Sequence, residues 1–372
     1  MRKFVSTISM ILTFIVLFSI SSSALSAPSV SAKSAILIEA ESGKVLFGKS
    51  SEIQLPMAST TKIMTAIVAI EACDDLNMTV KIDKRALGVE GSSIYLYEGE
   101  ELTMESLLYA LLLSSANDAA VAIAYAIDGD IEKFAERMNS KASELGLTNT
   151  HFVNPNGLHD ENHYTTAHDL AKITAYALKN KTFKTIVSTK KKTIPMKDAE
   201  GVRLLINHNK MLSIYEGAIG VKTGFTKKAG RCLVSAAERE GLTLVAVTLN
   251  APNDWNDHSS LLDFGFDAYE RIDLDDICYE LPVISGERSS VTVKNSEPMS
   301  AFLSKERGEI TVSIELPRFV YAGLCEGEVL GKVEYVCGGA VIASSPLVAQ
   351  SSVDQDQYKK NLFEWIASLF GY

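Results

Sequence analysis

The chain has 372 residues, of which 22% are charged, and a formal net charge of −10 at pH 7. This acidic balance lacks the basic surface that is typical of nucleic-acid-binding proteins, so we do not expect nucleic acid as a partner. Roughly 340 residues follow the predicted leader, which is enough for two domains with a sizeable core.

The first residues have the pattern of a secretory signal peptide. A basic start at Arg2 and Lys3 precedes an apolar run over residues 4–20, and small residues follow at 21–24. The run approaches the roughly 20 residues that a membrane span needs, so a retained helix is the alternative. Because small residues crowd its outer end, as cleavage requires, we interpret 1–27 as a signal peptide that is removed. In both cases we expect the rest of the chain to be exported, to the outer face of the cell membrane or the cell wall.

The cysteine pattern indicates no metal site, and no cofactor is expected. The chain has five cysteines but no C-x-x-C pair, and no histidine stands at metal-ligand spacing. An odd count in an exported chain leaves at least one thiol unpaired. Cys232 lies in an apolar strand pattern and is interpreted as a small core residue. The sequence leaves open whether Cys325 pairs with Cys337.

The first elements are a hairpin and a helix. Residues 34–40 and 44–48 flank a turn with Gly43, which predicts a β-hairpin. A helical pattern begins at Ser59, shortly after Pro56, where small residues precede an apolar periodic stretch. The buried face of that helix holds Ile63, Ile67 and Ile70.

Helices dominate the middle of the chain. Residues 102–127 hold two of them, and the segment from Ser115 to Asn117 falls at the break between the two. Further amphipathic helices are predicted over 131–145 and 166–178.

The spacing of apolar residues then changes from a helical period to one typical of strands. The lysine-rich stretch 179–197 is interpreted as a solvated loop or an edge hairpin, and 258–270 as a closing helix. Strands at both ends and helices between them predict an α/β (α+β) domain over 33–272, with one antiparallel sheet covered by helices. The predicted late strands are 217–223, 232–237 and 242–249.

A small all-β domain is predicted over 273–350, because short alternating segments are separated there by glycine-containing turns. Residues 351–372 form a polar linker and a terminal amphipathic helix. That helix is expected to lie on a membrane surface, with docking onto the β domain as the alternative. The alternating segments of the β domain are 290–293, 310–314, 329–336 and 340–344.

Three short motifs carry candidate chemistry, and the first is Ser-Thr-Thr-Lys at 59–62. A serine hydroxyl needs a neighbour to take its proton, and Lys62 lies one helical turn from Ser59. The lysine can act as that base only if burial or a nearby cation such as Lys222 lowers its pKa. A helix N-cap with an incidental lysine is the alternative. Ser188 begins a second Ser-x-x-Lys, which we interpret as solvated surface because no apolar helical face accompanies it.

The second and third motifs complete the set. Ser115 and Asn117 are either helix-capping residues or a proton relay and an amide donor to a substrate carbonyl. Lys222, Thr223 and Gly224 form either an ordinary strand end or a site for a substrate carboxylate that the backbone can approach closely. Their order, on a helix start, a helix break and a strand edge, favours serine acyl transfer.

The chain resembles the low-molecular-mass penicillin-binding proteins that act as serine-type D-Ala-D-Ala carboxypeptidases. Matching stretches include 55–62, 111–118, Asn-Pro-Asn-Gly-Leu at 154–158, and Val-Lys-Thr-Gly at 221–224. The resemblance implies that terminal D-Ala is removed from peptidoglycan stem peptides and that β-lactams bind as inhibitors. By this likeness Ser59 is the acylated nucleophile, Lys62 the base, Ser115 and Asn117 the second element, Lys222 and Thr223 the carboxylate site, and the backbone N–H groups of Ser59 and Phe225 the oxyanion hole.

One departure from the resemblance concerns the carboxylate. Relatives often carry an arginine after the strand that follows Lys-Thr-Gly, but residues 250–258 contain none. The carboxylate contact is therefore assigned to Thr223 and Lys222.

Three rival functions share these residues. A β-lactamase would need a glutamate to activate water, and Glu161 stands in the right general region. A D,D-endopeptidase would use the same site on cross-links. A catalytically silent wall-binding scaffold is the third alternative.

Overall fold

The computed structural model describes residues 27–196, 201–356 and 365–370. The predicted signal peptide, its alternative as a retained helix, and most of the predicted tail helix lie outside these ranges. Within them, no helix combines the length and apolar character that crossing a membrane would take.

The N-terminal part begins with a hairpin, continues mainly with helices and ends with strands and a closing helix, as the sequence predicts, and it also has short elements at 79–81, 101–103 and 211–214 that were not predicted. In chain order they are β1 (Ser34–Glu39), β2 (Val45–Lys49), α1 (Lys62–Ala72), β3 (Thr79–Lys81), β4 (Glu101–Thr103), α2 (Met104–Leu113), α3 (Asn117–Asp128), α4 (Ile131–Glu144), α5 (Ala167–Leu178), α6 (Lys181–Ser188), β5 (Lys191–Pro195), β6 (Val202–Ile206), α7 (Met211–Ile214), β7 (Ala218–Thr226), β8 (Gly230–Arg239), β9 (Leu242–Leu249) and α8 (Asp254–Ala268).

A five-stranded antiparallel sheet in the order β2-β1-β9-β8-β7 forms the centre of this part. The prediction of one sheet built from both ends of the domain is confirmed, because β1 pairs with β9 over its whole length. Strand β1 is buried throughout, since helices cover both faces of the sheet. Strand β7 forms one edge of this sheet.

Two local predictions need correction. The stretch 179–197 is not all loop or hairpin, because its first half forms α6, which buries Phe183, Ile186 and Val187. The hairpin of β5 and β6 follows it. The helix predicted from Ser59 begins with a 3-10 turn over Ala58–Thr61, and the α-helix starts at Lys62.

The C-terminal part is rich in β-structure, which confirms the predicted fold class. Its six-stranded and two-stranded sheets enclose a separate apolar core. The sequence prediction missed half of its strands. In chain order they are β10 (Tyr269–Leu274), β11 (Cys278–Ile284), β12 (Ser290–Asn295), β13 (Met299–Ser304), β14 (Ile310–Glu315), β15 (Val320–Tyr321), β16 (Val329–Cys337) and β17 (Ala340–Ala349).

The cysteines answer the question that the sequence left open. All five are free thiols in the structure, so Cys325 and Cys337 do not pair. Cys232 is buried at 1% exposure opposite Gly224 in the β7–β8 ladder, as expected of a core residue. Burial raises the pKa of its thiol to about 11.

Candidate active site

Ser59 lies in a tight turn whose backbone packs closely against two glycines. A Cβ atom on Gly157 would stand 2.0 Å from the carbonyl oxygen of Ala58, and one on Gly224 would stand 3.0 Å from the Ser59 nitrogen. Ala58 adopts a left-handed backbone with φ of +49°. The loop 154–158 and strand β7 therefore pack closely against the backbone of the turn, and at Gly157 the contact leaves no room for a side chain.

The amine of Lys62 lies at the centre of the polar contacts. Its Nζ stands 3.0 Å from Ser59 Oγ and donates to Asn117 Oδ1 at 2.7 Å and to the carbonyl oxygen of Asn156. These last two oxygens can only accept hydrogen bonds, so they take two N–H groups of the amine. In neutral Lys62 the lone pair that remains is directed at the Ser59 hydroxyl.

The environment of Lys62 favours this neutral form. Its side chain is fully buried, and desolvation holds its pKa well below the ordinary value. The charge of Lys222 lowers it further, while that of Asp118 raises it. The arrangement therefore provides a base beside a hydroxyl nucleophile.

The structure brings the second motif to the same place. Asn117 holds Lys62 with its amide oxygen and donates one Nδ2 hydrogen to the Glu90 carbonyl at 2.6 Å. Ser115 has a left-handed backbone with φ of +58° and lines a cleft of about 440 Å³ together with Ser59.

The third motif lies on edge strand β7, on the wall of that cleft. Thr223, Gly224 and Phe225 line it, and the buried Lys222 donates from Nζ to the Thr223 carbonyl at 3.0 Å. Burial lowers the pKa of Lys222 to about 7. An unpaired strand edge beside a nucleophile can receive an extended peptide.

The cleft also contains an arginine that the sequence analysis did not select. Arg231 stands opposite Phe225 in the β7–β8 ladder and lines the cleft with Thr223. One guanidinium nitrogen lies 2.9 Å from Asp254 Oδ1, and the group stands 5.8 Å from the Trp255 ring. Residues 250–258 do lack an arginine, but a neighbouring strand brings one to the site. The sequence feature that could have identified Arg231 is its position at the start of the strand that pairs with the Lys-Thr-Gly strand.

Two other residues named in the sequence analysis lie away from this constellation. Ser188 ends α6 and donates to the Thr185 carbonyl at 3.1 Å, whereas Lys191 belongs to β5, so they share no helical turn. Glu161 pairs on the surface with His159 at 3.2 Å and Lys228 at 3.3 Å. It therefore offers no water-activating carboxylate beside Ser59. Across the described ranges, no group of three His, Cys, Asp or Glu residues is arranged to hold a metal ion.

Comparisons with known proteins cover most of the chain. The family model described as D-alanyl-D-alanine carboxypeptidase matches residues 21–253, and that of the penicillin-binding protein 5 C-terminal domain matches 266–355. D-alanyl-D-alanine carboxypeptidase DacF of Bacillus subtilis is 33% identical over 90% of this chain and 90% of its own length.

Solved structures agree with these matches. Penicillin-binding protein 5 from Haemophilus influenzae superposes with a TM-score of 0.72 at 28% identity, covering 89% of this chain and 99% of that one. The Streptomyces K15 DD-transpeptidase superposes with a TM-score of 0.62 at 35% identity, covering 65% of this chain and 99% of that one. The chain therefore belongs to the D-alanyl-D-alanine carboxypeptidase family.

Proposed function

We propose that this protein is a serine D-alanyl-D-alanine carboxypeptidase that removes the terminal D-Ala from peptidoglycan stem peptides and is acylated by penicillins. The observation that carries the proposal is the Lys62 amine, which is buried, donates to two carbonyl oxygens and stands 3.0 Å from Ser59 Oγ. Ser59 is the nucleophile and Lys62 its base.

Acylation begins when Ser59 Oγ attacks the carbonyl carbon of the penultimate D-Ala and its proton passes to Lys62. The backbone N–H groups of Ser59 and Phe225 stabilise the oxyanion. When the C–N bond breaks, the proton returns through the Ser115 hydroxyl to the departing D-Ala amine. Asn117 orients the substrate amide, and water then hydrolyses the acyl-enzyme to release the shortened peptide and restore Ser59.

The substrate carboxylate is held by the cations of the cleft. Lys222 and Thr223 lie on β7, and Arg231, which lines the cleft, supplies a guanidinium, a group that can bind a carboxylate as a planar pair. Asp254 and Trp255 hold that guanidinium in the cleft.

The Arg231→Gln variant tests this assignment. We expect KM for a D-Ala-D-Ala peptide to rise about 10-fold with little change in kcat, because a charge-assisted contact is lost in both ground and transition states. Steady-state kinetics of D-Ala release measures it. Arg271→Gln is the matched control, since Arg271 also pairs with a carboxylate but lies outside the cleft. Equal KM values in the two variants would remove Arg231 from the carboxylate site.

The proposed reaction is tested with the leaderless protein, a D-Ala-D-Ala pentapeptide and a labelled penicillin. We expect D-Ala release and a long-lived label, both abolished by Ser59→Ala and both retained by Ser188→Ala, which changes the serine of the second Ser-x-x-Lys. Rapid penicillin turnover would show a β-lactamase instead, and cleavage of cross-linked peptides alone an endopeptidase. A protein that neither takes up the penicillin label nor releases D-Ala would be a wall-binding scaffold.

We further propose that the chain is exported, that its leader is removed, and that it rests on the outer face of the cell membrane through its C-terminal helix. Trp365, Leu369 and Phe370 are 60%, 62% and 78% exposed, which leaves their apolar surface available to lipid. The full mature chain is expected to co-sediment with phospholipid vesicles, and the double change Leu369→Asp and Phe370→Asp to abolish this. Val312→Asp, at a 47% exposed apolar residue of β14, is the control. A wild-type protein that stays in the supernatant contradicts membrane contact.

A further inference from the structure

His163 is a buried histidine that the proposed reaction does not use. It is 2% exposed and belongs to the segment that passes beside the Ser59 turn. Its ring meets that of Phe152 edge-on, with centroids 5.8 Å apart. Its Nδ1 accepts the Val153 N–H at 3.1 Å, and its Nε2 stands 2.7 Å from Thr61 Oγ1.

The partners of the ring determine where its proton lies. The Val153 N–H can only donate, so Nδ1 presents its lone pair and the proton of the neutral ring is on Nε2. Nε2–H therefore donates to Thr61 Oγ1, and the Thr61 hydroxyl donates in turn to the Ala58 carbonyl at 2.8 Å. Every donor in this chain points the same way, from the loop towards the turn.

The neutral ring fits its surroundings. Burial lowers the pKa of His163 to about 4, and the charges of His151, His159 and Lys62 also lower it, against Asp160. Protonation of the ring would place a hydrogen on Nδ1, facing the Val153 N–H, so two donors would oppose each other. The chain of donors is therefore intact near neutral pH.

The chain ends on the peptide bond that carries the Ser59 nitrogen. In a planar trans peptide the Ala58 C=O and the Ser59 N–H point in opposite directions. Holding the carbonyl on the Thr61 side thus aims the N–H the other way. Ala58 is not a glycine, so its left-handed backbone is strained, and the Thr61 hydroxyl adds a hydrogen bond to the glycine contacts that hold this turn.

We propose that His163, acting through Thr61, is a positioning residue that orients the Ala58–Ser59 peptide so that the Ser59 N–H serves the oxyanion. This rests on the proposed function, in which that N–H is an oxyanion donor. A residue of this kind affects the covalent step, since the oxyanion forms only there. It leaves the affinity for unreacted penicillin unchanged.

The experiment measures penicillin acylation in the full mature protein, resolving the noncovalent dissociation constant from the acylation rate constant. Thr61→Val removes the hydroxyl at constant shape, and Thr61→Ser keeps the hydroxyl. We expect Thr61→Val to lower the rate constant about 10-fold or more at unchanged dissociation constant, and Thr61→Ser to stay near the wild type. His163→Phe should resemble Thr61→Val, and the double variant should be no slower than either.

His258 provides the matched control. It is also fully buried, its Nε2 also meets a threonine hydroxyl, that of Thr248 at 2.9 Å, and it lies on α8. His258→Phe is expected to lower the melting temperature without changing the acylation rate constant. Equal rate constants for Thr61→Val and Thr61→Ser, or multiplying effects in the double variant, would overturn the proposal. A wild type that is acylated but releases no D-Ala would refute the carboxypeptidase and leave this comparison valid.

Discussion

Lys62→Met is expected to lower the rate of Ser59 acylation by about 10²- to 10⁴-fold, the range that general base catalysis contributes. Methionine keeps the length and the burial of the lysine stem but cannot take the proton of the Ser59 hydroxyl. Labelling with a fluorescent penicillin under pseudo-first-order conditions measures the rate. The control is Lys191→Met, which changes the lysine of the second Ser-x-x-Lys. A Lys62→Met protein that is acylated within 10-fold of the wild-type rate would contradict the assignment of the base.

The buried lysines Lys62 and Lys222 set the pH dependence of the wild-type reaction. The neutral fraction of Lys62 grows as pH rises through its lowered pKa, so the acylation rate constant rises with pH. Burial lowers the pKa of Lys222 to about 7, so Lys222 loses its charge as pH rises through neutrality, which weakens the hold on the substrate carboxylate. For a D-Ala-D-Ala peptide, kcat/KM should therefore pass through a maximum and fall once both lysines are largely neutral. If kcat/KM does not change with pH, Lys62 and Lys222 do not have these two roles.

Gly157→Ala is expected to destabilise the fold by about 2–4 kcal/mol and to slow acylation by about 10²-fold. The added methyl would stand 2.0 Å from the Ala58 carbonyl oxygen, so the turn that carries Ser59 must shift. Thermal unfolding measures the first effect and penicillin labelling the second.

Gly146→Ala separates the two causes of this effect. Gly146 has a similar left-handed backbone, with φ of +69° against +86° for Gly157, but open space where its Cβ would lie. It should show only the backbone cost of about 1 kcal/mol and normal acylation. If Gly157→Ala behaves like Gly146→Ala, the turn does not depend on the close contact.

The sequence predicted the parts of the site that depend on local geometry. Ser59 and Lys62 lie one turn apart, and the spacing of apolar residues indicates a helix break at Ser115, so the local pattern made these residues candidates. The central sheet was predictable for a similar reason, because β1, β8 and β9 contain long runs of buried residues. Helix α6 was missed because only Phe183, Ile186 and Val187 mark its buried face among lysines.

Contacts between distant segments could not be predicted in this way. Arg231 enters the cleft because the ladder sets it opposite Phe225, and strand register is not visible in a single strand. His163 contacts Thr61 across 102 residues of chain. Asn156 contacts Lys62 through its backbone carbonyl, and a motif of side chains cannot reveal such a contact.

The tightly packed turn at Ser59 has a consequence for how the protein acquires activity during folding. Lys62 meets Asn117 and Asn156 across 55 and 94 residues, and β7 reaches the turn from farther still. Each of these loops must close before Lys62 is buried and oriented to act as the base, so reactivity is acquired only when long-range assembly is complete. The unfolded chain is therefore expected to be inert towards β-lactams, and the uptake of a labelled penicillin during refolding should count the fully folded molecules.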